Sequence, residues 1–240
     1  MTRPIAPGLR REERTPRFPR AHVVDVDSSR LRPTHHRLTT GRHNAPMPHD
    51  IDDSWDRIEA WLRTNAPATY EHVGVPARRD EIPPVATLVA EPLPEDLIAF
   101  WRRSCGTTSF SAARLLTGHA PYSIDEAVAC RTLMLKIAAC DDAELADLSA
   151  EPAGSPCWNY LPMWVPIAHD SGGDHLFVDL RPGPERGCVM RWYETEFASM
   201  DPKWPDVATM LAEIADALEH GTDIAGVRPE ILDDGTIHWA

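Results

Sequence analysis

The chain has 240 residues, 42% hydrophobic and 25% charged, with a formal net charge of −13. This is an ordinary globular composition without an apolar run of the ~18–20 residues that a membrane span needs and without the apolar core of a secretory signal, so the cytoplasm is the expected compartment. The charge is uneven: residues 1–50 carry ten arginines against five acids, while residues 51–240 carry 14 basic and 32 acidic side chains, a net of −18 that repels nucleic-acid phosphates and attracts a basic partner.

Residues 1–46, rich in Arg, Pro, Thr and His, show neither a helical nor a strand period and hold too little apolar surface to offset the entropy of ordering, so they are expected to be a disordered tail. Met47 is a candidate start of translation just ahead of organised sequence. From about residue 50 the pattern sharpens. DIDDSWDRIEAWLRT predicts a helix capped by Asp53 or Ser54, with Trp55, Ile58, Trp61 and Leu62 on one face. A proline-rich link follows, and EIPPVATLVAE within it holds a helical turn or two. LPEDLIAFWRRSCG then predicts a second helix with Pro94 at its first position and Gly106 as its C-cap.

Ser123 and Glu126 frame a capping box that opens a helix running to about Ala139, with Val128, Met134, Leu135 and Ile137 as its apolar positions. Residues 140–157 read as a polar excursion. WVPIA, HLFVDL and GCVMRWYE read as three antiparallel strands, because they are short, rich in β-branched and aromatic residues, and separated by glycine-containing turns. WPDVATMLAEIADALEHG predicts a helix stopped by Gly221, and Asp234-Gly235 marks a closing hairpin. Helices, then strands, then a helix give an α+β fold in a single domain spanning 50–240, an antiparallel sheet flanked by helices.

One stretch concentrates the chemistry. HDSGGDH places His169, Asp170, Asp174 and His175 within seven residues, with Asp179 close behind. These could ligate a divalent metal and support a small hydrolase, but the spacing is neither that of a zinc-binding helix nor that of a calcium loop. No phosphate-binding loop or nucleophile elbow occurs. The five cysteines form no CxxC pair, which argues against a disulfide framework or zinc ribbon. The structural reading fits better. Gly172-Gly173 supplies the backbone freedom of a hairpin turn, Asp170 and Asp174 bond their own backbone, and alternation puts His175, Phe177 and Asp179 on the face opposite Leu176, Val178 and Leu180. No catalytic residue, metal ligand or cofactor is therefore assigned.

Together these pieces carry a resemblance. The stretch from Trp55 to Trp239 resembles the SUKH superfamily, in the branch that includes fungal cell-wall-assembly regulators (the Smi/Knr type). It does so through the Trp55-xx-Ile58-xx-Trp61-Leu62 helix, LPEDLIAFWRRSCG, LLTGHAPYSIDEAV, WVPIAHDSGGDHLFVDLRPG, RGCVMRW and DDGTIHWA. The resemblance implies a non-enzymatic protein-binding domain. Bacterial members are inferred to be immunity proteins that neutralise secreted toxins, often nucleases, and fungal ones act as regulatory hubs. The expected partner is thus a protein, a basic toxin or nuclease domain, met by an acidic and aromatic surface for which Trp164, Asp170, Asp174, Phe177, Asp179 and Trp192 are the candidates. The alternative is a cytoplasmic regulatory scaffold that uses the Arg-rich tail to recruit.

Overall fold

A computed structural model describes residues 49–138, 141–194 and 197–240, with the side chains of 197–203 left undescribed, and these residues belong to one compact unit. The expected disordered tail lies outside the described residues.

The first helix, α1 (Ile51–Asn65), starts earlier than its sequence signal. Asp50 is the N-cap, its Oδ1 accepting from the Asp52 amide at 2.9 Å, because Ile51 and Ser54 are themselves buried and belong inside the helix. After the short α2 (Pro67–Tyr70) and α3 (Ile82–Val89) comes α4 (Glu95–Arg103), whose N-cap is Pro94 and whose C-cap is Ser104 rather than Gly106. Strand β1 (Ala120–Pro121) leads into α5 (Ile124–Ile137), which opens on the expected capping box: the Ser123 amide donates to Glu126 Oε2 at 2.8 Å and the Glu126 amide to Ser123 Oγ at 3.3 Å. The polar excursion contains a helix, α6 (Asp142–Ala150), capped by Asp141, which accepts from the Ala143 and Glu144 amides.

Strands β2 (Trp164–His169), β3 (His175–Asp179) and β4 (Val189–Tyr193) form the expected meander, and β5 (Phe197–Trp204) extends it. The sheet order is β1-β2-β3-β4-β5 with antiparallel pairing throughout. On β4–β5 the register shifts, so that Met190 opposes Lys203 but Arg191 opposes Ser199; Pro202 sits in that interruption, on an edge strand where its missing donor is tolerated. Helix α7 (Val207–His220) ends at Gly221, φ 63°, and Asp96 of α4 caps its start by accepting from the Val207 amide at 2.7 Å. The β6 (Pro229–Ile231) and β7 (Ile237–Trp239) hairpin closes through a loop with Gly235 at φ 80°.

The sheet is covered on both faces. Leu176, Val178, Val165 and Val189 pack with α1, α3, α4 and α7, and Phe177, Trp164, Met190 and Trp192 pack with Met134 of α5 and the 157–161 segment. Alternation along β3 was read correctly, but the second face is interior as well. Outward-facing Ile137, at 62% exposure, departs from its expected place on the apolar stripe.

Candidate functional site

The HDSGGDH stretch is the β2–β3 hairpin, and its polar groups are already engaged. Asp170 Oδ1 accepts from the Gly172 amide at 2.7 Å and the Asp174 amide at 3.0 Å, while Gly173 takes φ 92° to complete the turn. Asp174 Oδ2 lies 2.6 Å from Arg191 of β4, which also stands 3.8 Å from Asp170. The turn acids therefore carry a local countercharge and hold backbone amides.

The histidines point elsewhere. His169 stacks on Tyr122 at 4.3 Å and packs against Phe110, and His175 Nδ1 meets the Tyr122 hydroxyl at 3.1 Å. Burial pushes the His175 imidazole down to about 4 and lowers that of His169. Sequence reasoning missed that Cys130 of α5 approaches His175 Nδ1 at 3.9 Å, because the packing of α5 against the sheet leaves no local signal. Burial raises the Cys130 thiol while it lowers the imidazole, so this pair rests as neutral thiol and neutral imidazole rather than as an activated thiolate.

Three of the six sequence candidates lie wholly inside. Trp164 stacks on Phe177 at 4.1 Å, and Asp179 forms a buried ion pair with Arg181 at 2.7 Å. Asp179 also accepts the Gly154 and Arg181 amides at 3.0 Å each, and the Arg181 guanidinium lies over the Trp164 ring. With relative exposures of 0%, Trp164, Phe177 and Asp179 cannot touch a partner without opening the core, so their assignment as contact residues is corrected. The reason is the second covered face: the alternation that groups these residues does not tell whether that face meets water. Trp192 is nearly buried too, though its edge reaches a surface pocket.

That pocket is the open feature on this side. It measures about 230 Å³ and is lined by Met134, Ile137, Ala138, Trp158, Asn159, Tyr160 and Trp192. Arg131, on the inner side of α5, builds it by donating from Nε and Nη2 to the Pro162 carbonyl at 3.1 and 2.5 Å, which ties the segment carrying Trp158 to the helix. Trp158 is 43% exposed, and Leu133 and Ile137, one helical turn apart on α5, are 58% and 62% exposed. Larger hollows near Val75 and Pro76 have more polar walls, and Ser123 in one of them is spent on its cap.

Just beyond Ala138, Asp141, Asp142, Glu144, Asp147 and Glu151 line the outside of α6, and no cationic side chain among the described residues pairs with them. Residues 137–180 contain eight acids and no lysine or arginine. Among the described residues, three potential metal ligands converge only at Asp216, Glu219 and His220, where Arg57 already takes both carboxylates at 2.5 Å.

Fold and site together define an α+β domain whose sheet is covered on both faces, with exposed apolar side chains on α5 and at Trp158 and a row of acids on α6. The chain belongs to the SMI1 / KNR4 family (SUKH-1), whose model matches residues 76–213. No curated protein matches it. No helix among the described residues is long and apolar enough to cross a membrane.

Proposed function

We propose that this chain is a non-enzymatic protein-binding domain of the immunity type, which neutralises a cognate toxin by covering a basic surface. The observation that carries the reading is the row of acids on α6, unpaired among the described residues, on a helix whose Leu145 and Leu148 pack on the cluster that lines an open apolar pocket. Such an arrangement steers a cationic partner and then supplies apolar area to hold it. Family membership supports the class, since the resemblance implies immunity proteins and regulatory hubs rather than catalysts. The neutral Cys130–His175 pair and the engaged hairpin acids fit the same reading.

Affinity capture of the tagged full chain from its own cells, washed across a salt series and read by mass spectrometry, tests it. The expected result is one stoichiometric partner with a basic domain, whose toxicity on expression disappears when this chain is co-expressed. Several substoichiometric partners that depend on residues 1–46 would instead favour the regulatory scaffold.

A further inference from the structure

Leu145 and Leu148 of α6 pack on the cluster of Met134, Tyr160 and Trp192 that also lines the pocket, so the exposed apolar side chains and the α6 acids belong to one covering layer, and their chemistry specifies an occupant. Ile137 of α5 and Trp158 both line a pocket of about 230 Å³, large enough for one sizeable apolar side chain, and exposed Leu133 lies one helical turn before Ile137. The α6 acids follow within a few residues, and Lys136 is the cation nearest in sequence. We infer that this face receives a basic segment of a protein partner, which inserts a leucine-, methionine- or phenylalanine-sized anchor among Ile137, Trp158 and Trp192 and lays its lysines or arginines against α6. The inference rests on the protein-binding reading above and gives that reading its docking site and partner chemistry.

A second copy of the chain fits this surface poorly. A two-fold interface uses the same patch from both subunits, so it would bring unpaired acids of one α6 towards those of the other. The hairpin end is a poorer receptor as well, because Arg191 already neutralises Asp170 and Asp174. On α6 no cationic side chain among the described residues supplies that countercharge.

The test uses the full chain and a fluorescein-labelled amphipathic peptide of leucine and lysine at helical spacing, with a control peptide in which every leucine is serine. Anisotropy is followed across a salt series. Ile137→Glu and Trp158→Ser change exposed side chains and should leave the fold intact, which circular dichroism and urea denaturation verify. Each should weaken the leucine–lysine peptide at least tenfold, and the leucine-free control should bind wild type at least tenfold more weakly. Asp142→Lys with Glu144→Lys should flatten the salt dependence, whereas Asp53→Lys with Asp233→Lys, the same charge change elsewhere, should not.

Equal binding by both peptides, or wild-type affinity in Ile137→Glu and Trp158→Ser, would overturn the inference. So would a dimer in sedimentation that Ile137→Glu dissolves, which would give the face to a second copy. Equally tight binding of a synthetic peptide of residues 3–20 at the same side chains would give it to the chain's own arginine-rich arm. The two readings fail separately. A basic partner captured from cells and still held by Ile137→Glu would leave protein binding intact and sink this surface. Peptide binding at the face without any cellular partner would do the reverse.

Discussion

Asp179 is the sequence candidate whose role the structure changes most, and its removal should be costly. Its carboxylate accepts Arg181 Nη2 at 2.7 Å, Nε at 3.1 and 3.2 Å, and two backbone amides at 3.0 Å. Arg181 has 1% exposure, and it also donates to the carbonyls of Ser155, at 2.7 Å, and Leu148, at 3.5 Å. Asp179→Ala leaves a buried guanidinium without its counter-ion and frees the Gly154 amide, a change of the kind that costs about 3–5 kcal/mol. With an unfolding slope of about 2 kcal/mol/M, the urea midpoint should fall by roughly 2 M. Replacing both partners with apolar residues of similar volume, Asp179→Leu with Arg181→Met, should recover much of that loss, because no charge then remains buried. Urea unfolding followed by tryptophan fluorescence measures all three proteins. A loss below about 1 kcal/mol in Asp179→Ala would show that water or a relaxed Arg181 reaches this site and would refute its role as an interior anchor.

Acid should destabilise the fold through His119 and His175. Burial lowers both to about 4, so the folded state binds fewer protons than the unfolded chain below pH 6.5; stability is fully present above that value and falls as pH drops towards 4, by about 2 kcal/mol per histidine at pH 4.5. Denaturation curves at pH 7 and 4.5 should lose part of this difference in His175→Gln. Calorimetry against zinc, manganese and calcium should find no hairpin site tighter than millimolar, and a micromolar site abolished by His169→Ala would revive the hydrolase alternative. Gly74→Ala should cost about 1–3 kcal/mol by denaturation, because its added Cβ would lie 2.2 Å from the Gly106 carbonyl oxygen and 2.5 Å from that of Cys105, which are backbone atoms with little room to retreat.

Local chemistry was legible wherever the determining residues were neighbours in sequence. The Ser123–Glu126 box, the Gly221 stop and the Asp170 turn each rest on residues within four positions of the backbone groups they satisfy. Helix α6 was missed although Asp141, with Ala143 and Glu144 after it, is a cap signal. Its apolar content is only a few residues such as Leu145 and Leu148, too sparse for a helical period to stand out. Strand β5 was missed because Asp201 and Pro202 break its strand pattern, and an edge strand tolerates them. For the candidate residues of the sheet, the grouping by face was legible but the burial was not. Period-two alternation correctly separated Phe177 and Asp179 from Leu176 and Val178, yet only tertiary packing decides whether one face or both are covered.

That second cover determines where binding chemistry can reside. Had the face carrying Trp164, Phe177 and Trp192 been open, the aromatic and acidic residues of β2–β4 would have been the recognition surface. Instead Met134, Tyr160 and Leu161 close over it, and Asp179 is neutralised inside by Arg181. The covering layer has an outer side of its own. A helix that buries Ile124, Ala127, Arg131 and Met134 on one side carries Leu133 and Ile137 on the other, although neither fills the interior. Exposed aliphatic side chains one turn apart, beside a half-exposed tryptophan, oppose solubility unless something covers them. The acids of α6 offset that liability while the chain is free, and in the proposed binding role they would select a cation-bearing partner. The segment that reads as a polar excursion thus carries the charge, and the helix before it carries the exposed apolar side chains.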